Sequence, residues 1–185
     1  MSNHARGLWG YTGAASGREL TIQSTGMGGP SAAIVLDDLV ELGVRRAVRV
    51  GTCVAIAAEP GPGDLLTVIE ARAWGGGGIG DPALPDQELT TRLREELGET
   101  ARPASIASLD VLHQSGKAES ARYGERVDAA DMQTATLLAR GGAQGVAIGA
   151  VLIVAEDAEG RQADDERLEQ GAKRAGAAAQ AILSA

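Results

Sequence analysis

Apolar residues recur along this chain in two rhythms, and their alternation predicts its elements. Thr21 to Gln23 are short and β-prone, and the glycine-rich run Ser24-Thr25-Gly26-Met27-Gly28-Gly29 follows at once. Pro30 and Ser31 open a helix with the apolar face Ile34, Val35, Leu39, Val40 and Leu42, and Gly43 is its stop. Ala47 to Thr52 is the next strand, and Leu65 to Ile69 another, entered from the turn Pro60-Gly61-Pro62-Gly63-Asp64. Trp74 to Pro85, with four successive glycines, reads as a mobile loop. Leu89, Leu93 and Leu97 recur every fourth position among charged residues, the mark of an amphipathic surface helix. Ala104 to Leu109 and Val146 to Val154 are further strands, and the Ala-rich, charged stretch from Arg167 to Leu183 is a closing helix. Strands alternating with helices predict an α/β fold with a mainly parallel sheet, in one domain spanning 1–185 without linker or internal repeat.

Two features of this pattern carry chemistry. Glycines at 26, 28 and 29 let the backbone turn sharply and leave its N–H groups uncovered, just where a helix begins. A helix start favours an anion, because free N–H groups converge there with the positive end of the dipole. Arg49 then places a guanidinium inside an apolar strand. A buried charge without a partner is costly, so Arg49 needs either a carboxylate or a bound anion. The turn and Arg49 together suggest a small oxyanion site, although a glycine turn can equally serve tight packing and Arg49 a structural ion pair.

Composition narrows the partners. With 17 Lys+Arg against 25 Asp+Glu the formal charge is -8, which disfavours a nucleic-acid backbone as partner. The single cysteine, Cys53, cannot form an intrachain disulfide and fits a cytoplasmic location. The start Met1-Ser2-Asn3-His4-Ala5-Arg6 does not read as a signal peptide, and no run is apolar enough to cross a membrane. Two His and one Cys lack metal-ligand spacing, so no metal is expected.

The segment from Thr21 to Cys53 resembles the signature of the nucleoside phosphorylase family that contains uridine phosphorylase and the hexameric purine nucleoside phosphorylases. The STG-x-GGPS turn, the LG-V/I-x-x-x-x-R-x-GT strand and their separation all match. Upstream, Arg6-Gly7-Leu8-Trp9-Gly10-Tyr11-Thr12-Gly13 resembles the segment before the family's hairpin. Downstream, Asp131 to Leu138 resembles the family's E-M-E-S/A-A-T-L-L helix start, and Val151 to Asp157 its last core strand. The resemblance implies a phosphorylase-type central mixed sheet flanked by helices, with the strand ending at Thr52 in its middle.

It also implies an activity, cleavage of a nucleoside's N-glycosidic bond with phosphate as co-substrate and no other cofactor. Arg49 and Thr52 would hold phosphate together with backbone around Gly26, joined by Arg6 from a neighbouring subunit. Arg49 and Asp157 would be the catalytic residues. Met132 would pack the sugar and Gln133 would stand where the family has a Glu that accepts from its hydroxyls, with Asp131 as a substitute acid. An Asp before an apolar-periodic segment is also an ordinary helix cap. Asp157 would assist the departing base, which requires a carboxyl kept protonated by burial or by Glu156; the same residues read equally as a solvated acidic turn. His113 would line the base pocket, and Lys117 and Glu119 stand where uridine phosphorylases read uracil, against that base. Shared sites imply a homodimer at the least and a hexamer as the full ring.

Three departures accompany the likeness. Nothing matches the G-D-P-x-R element of the family's N-terminal strand, so the chain reads as lacking that strand. Val54 replaces a usual Gly and would crowd the ligand, and Gln133 replaces the Glu. The residues therefore leave three readings open: an enzyme, phosphorolytic or hydrolytic; a non-catalytic relative that binds a nucleoside, nucleobase or small anion; or a subunit partnered with an active paralogue.

Overall fold

The computed structural model describes residues 8–75, 78–112 and 127–185. A hairpin comes first, β1 (Gly10–Ala15) and β2 (Arg18–Gln23), forming its own two-stranded sheet. Ser16 and Gly17 both take positive φ, 52° and 78°, the geometry that closes a two-residue hairpin turn without splaying its strands. Then follow α1 (Gly28–Glu41), β3 (Arg46–Ala55), β4 (Leu65–Gly75), β5 (Gly78–Ala83), α2 (Gln87–Leu97), β6 (Ala101–Leu109), β7 (Ala129–Asp131), α3 (Thr134–Ala143), β8 (Ala147–Glu156) and α4 (Asp165–Ser184).

The main sheet runs β5-β4-β6-β7-β3-β8, and Leu65–Thr67 of β4 also pair with Ile153–Val151 of β8, so the sheet curls back on itself. β3 lies between β7 and β8, as expected of the strand carrying Arg49. The pairs β3–β8, β4–β6 and β6–β7 are parallel, whereas β3–β7, β4–β5 and β4–β8 are antiparallel. The sheet is thus mixed, as the family resemblance implies, and not mainly parallel as the alternation of elements suggests. Two features hid this from the sequence. β7 is only three residues long, and the segment whose glycines predict a loop contains, among its described residues, the end of β4 and the edge strand β5. Glycine lowers strand propensity but keeps both backbone hydrogen-bonding groups, and an edge strand tolerates Pro82.

Alternation along β8 builds two apolar layers. Ile148, Ala150, Leu152 and Val154 join a cluster under α1 and α3, whereas Val151 and Ile153 join one under α2 and α4. The α2 stripe is as predicted: Leu89, Leu93 and Leu97 are all buried, with Asp86 capping the helix through the Leu89 N–H at 2.9 Å.

The first layer positions the site. Helices α1 and α3 approach so closely at Gly29 that an added Cβ would lie 2.5 Å from Thr136 Oγ1. Asp37 receives both Arg140 Nε and Nη2, and Gln144 Nε2 at 2.7 Å, which fastens the two helices at their outer ends. The glycine turn before α1 is thereby held beside the turn before α3.

Candidate active site

Arg49 leaves β3 on the side of α1 and α3, and only 11% of its side chain is exposed. Gly51, two residues on and on the same side, makes room for it: a Cβ there would sit 2.7 Å from Arg49 Nη2. Each nitrogen of the guanidinium has its own partner. Nε donates to Thr134 Oγ1 at 3.0 Å, Nη1 to Gln133 Oε1 at 2.6 Å and Nη2 to Asp131 Oδ2 at 2.9 Å. Of the two ways to satisfy this charge, the fold supplies the carboxylate. The burial of Arg49 therefore calls for no bound anion, which corrects the argument from burial to an anion ligand.

Asp131, 2% exposed, ends β7. Its Oδ1 accepts from Ser108 Oγ at 2.5 Å, and its Oδ2 from Thr134 N at 3.0 Å and Thr134 Oγ1 at 2.6 Å besides Arg49. The helix-cap reading is the realised one, since Asp131 holds the first turn of α3. A carboxylate so fully taken up has no acceptor left for a sugar, which corrects its role as a substitute ribose acid. Ser108 extends the network by accepting from Ala135 N at 2.8 Å.

Gln133 connects this cluster to the glycine turn. Its Oε1 also accepts from Thr25 Oγ1 at 3.1 Å, while its Nε2 donates to the Gly26 carbonyl at 2.6 Å. Thr25 O accepts from Ser31 Oγ at 2.7 Å, so two successive carbonyls of the turn are taken up by side chains. Gly26 and Gly28 have φ of 71° and 80°, left-handed values that account for glycine at both positions. Met132 lies half-buried between Asp131 and Gln133.

Other expected members fall elsewhere. Thr52 is exposed, and strand alternation turns it to the side opposite Arg49 and Gly51, so the two do not form one anion pocket in this conformation. Val54 is buried at a bulge of β3, between Ala130 and Glu156. Asp157 is fully buried just beyond β8. Burial pushes its carboxyl up, but hydrogen bonds from Arg161 N, Arg161 Nε and Glu159 N, with the Arg161 charge, outweigh this and hold it below the ordinary value. It is thus an ionised turn-capping carboxylate at rest and not the protonated acid expected. Cys53 lies beside the cluster; burial first, then the Asp131 charge, push its thiol up, so it offers no thiolate. Arg6, His113, Lys117 and Glu119 lie outside the described residues.

Thr134 and Thr25 were not foreseen. Both hydroxyls bind partners distant in sequence, and a Thr at a helix start or in a turn otherwise carries no sign of such a contact.

Comparison with known proteins agrees with this architecture. Residues 2–185 match the model of the phosphorylase superfamily, and the chain belongs to that superfamily. A guanosine phosphorylase of Halorubrum lacusprofundi is 32% identical over 168 residues, covering 81% of this chain and 68% of that protein. Purine nucleoside phosphorylases of the DeoD type from Alkaliphilus metalliredigens and Clostridium novyi are 39% and 40% identical over 70 residues. Those two matches span 37% of this chain and 30% of each relative.

Proposed function

We propose that this chain is a nucleoside phosphorylase acting on purine nucleosides. Phosphate oxygen forms a bond to C1′ of the sugar, the C1′–N bond to the base breaks, and a sugar 1-phosphate and free base result. The observation that carries the reading is the glycine turn clasped against Arg49 in a chain that matches the superfamily over residues 2–185. An arginine has five N–H groups, and three of Arg49's are used within the protein. The remaining two, already oriented by Thr134, Gln133 and Asp131, are the donors proposed for phosphate, so little reorganisation is needed at reaction. The purine preference draws on the names of the relatives. Met132 is proposed for the sugar and Asp157 for the base. Proton transfer to the base would require Asp157 to take up a proton first.

The assembly belongs to the same proposal: a homodimer at least, built into a hexamer, with Arg6 reaching the neighbouring site. So does a cytoplasmic location; among the described residues no helix is long and apolar enough to cross a membrane.

The test is base release from guanosine, inosine, adenosine and uridine, each with and without inorganic phosphate, followed by chromatography. Phosphate-dependent release from the purine nucleosides is expected. Arg49→Lys keeps a positive charge beside Asp131 but loses the planar fork, and on the order of a hundredfold fall in kcat/KM for phosphate is expected, as for loss of a transition-state donor. Release indifferent to phosphate would make the enzyme a hydrolase, and no release from any nucleoside would end the proposal.

A further inference from the structure

Of the three groups that hold Arg49, Asp131 alone is charged, and its carboxylate is held in turn by Ser108. Ser108 and Asp131 stand opposite each other in the parallel register of β6 and β7, so their side chains share a face. Ser108 is buried, and its hydroxyl is fixed in direction. Its oxygen accepts from Ala135 N at 2.8 Å, so its one proton is committed to Asp131 Oδ1 at 2.5 Å. Apart from this bond, Oδ1 has among the described residues only a 3.3 Å contact from Thr134 N. The terminal torsion of an aspartate is soft, so the Ser108 hydroxyl is what sets Oδ2, and not Oδ1, toward the guanidinium. Without it the carboxylate would turn to divide the Thr134 N–H between its oxygens and would draw Arg49 Nη2 along. Gln133 has no acceptor to spare in compensation, since its Oε1 is shared between Arg49 and Thr25 and is closed to a sugar hydroxyl as well.

We propose that Ser108 is a positioning residue for phosphate: it locks the Asp131 carboxylate, and Asp131 in turn aims the two free N–H groups of Arg49. This role rests on the phosphorylase reading and adds to that site a group that touches no substrate.

A double-mutant cycle tests it, with Ser108→Ala made in the wild-type chain and in Arg49→Lys. Steady-state kinetics for phosphate and for nucleoside are measured on all four proteins, with the thermal unfolding midpoint of each. In the wild-type background Ser108→Ala should lower kcat/KM for phosphate on the order of tenfold, the scale of one charge-assisted hydrogen bond. Lysine has no planar fork to aim, so in Arg49→Lys the same change should cost less than about twofold. The nucleoside KM should hold within about twofold throughout. A merely structural role would lower the midpoint and cut phosphate kinetics by the same factor in both backgrounds. Equal factors, or no fall in the wild-type background, therefore overturn the inference, while phosphate-dependent base release by wild type leaves the phosphorylase reading standing. Wild type without such release removes both. Should Ser108→Ala not fold, Ser108→Cys, which keeps a side chain of similar shape but a much weaker donor, decides by the same comparison. Failure of both variants to fold makes Ser108 a structural residue and ends the proposal.

Discussion

Asp131 and Asp157 are both buried acids, yet their partners make them different objects. Asp131 answers a buried arginine, and removing one member of such a pair costs about 3–5 kcal/mol because the other stays buried and uncompensated. Asp157 answers its own turn, through two backbone N–H groups and the Arg161 guanidinium. Its carboxyl is held below its ordinary 3.8, so the folded state binds a proton less readily than the unfolded one. That stabilisation is present above the unfolded value and is lost as pH falls through the folded one. Asp157→Asn should therefore be less stable than wild type at neutral pH, with the gap closing as pH drops below about 3.8; urea midpoints measured across pH would show it. A gap independent of pH would mean that packing, not charge, holds the turn. The need for a partner at Arg49 was legible in the sequence, since a charge amid Val48 and Val50 must be met. Which partner was not, because Asp131 lies 82 positions away and reads locally as a helix cap. Gln133 and Gly26 are 107 positions apart, and nothing local announces their hydrogen bond.

Elements were read well wherever a periodic stripe marked them. The leucines of α2 repeat at four-residue spacing, and Leu89 and Leu93 are wholly buried against α4 and the sheet. Leu93→Ala should cost about 2–5 kcal/mol, the range for deleting a fully buried leucine from a close-packed core. Chemical denaturation with circular dichroism would measure it, and a loss well below 1 kcal/mol would show that α2 rearranges into the space. Reading failed where elements lack side-chain rhythm. β5 is Gly78-Ile79-Gly80-Asp81-Pro82-Ala83, a composition that predicts a turn, and only the neighbouring edge of β4 makes it a strand. β7 has three residues, too few for any period to register.

At the scale of the molecule, the hairpin stands apart from the main sheet and carries apolar side chains to the surface. Tyr11 and Ile22 face each other across its two strands and are 64% and 76% exposed, with Trp9 nearby at 59%. An aromatic and a β-branched residue so placed suit the core of an interface between copies, and a two-fold contact would bury each twice. Light scattering should give a dimer or a multiple of it at micromolar concentration, and Tyr11→Glu should shift that assembly toward monomer. A stable wild-type monomer would defeat the shared-site proposal. The curling of the main sheet has a different consequence, one concerning time. Cys53 Sγ rests on the Ile153 carbonyl, 100 residues away, along a parallel ladder that runs from Arg46 to Val54. β8 is thus the common neighbour of β3 and β4, both made long before it. During synthesis those strands must wait with open edges, since closing so long a loop precedes any gain from pairing. Until β8 emerges from the ribosome, those edges stay open to pairing with the wrong neighbour.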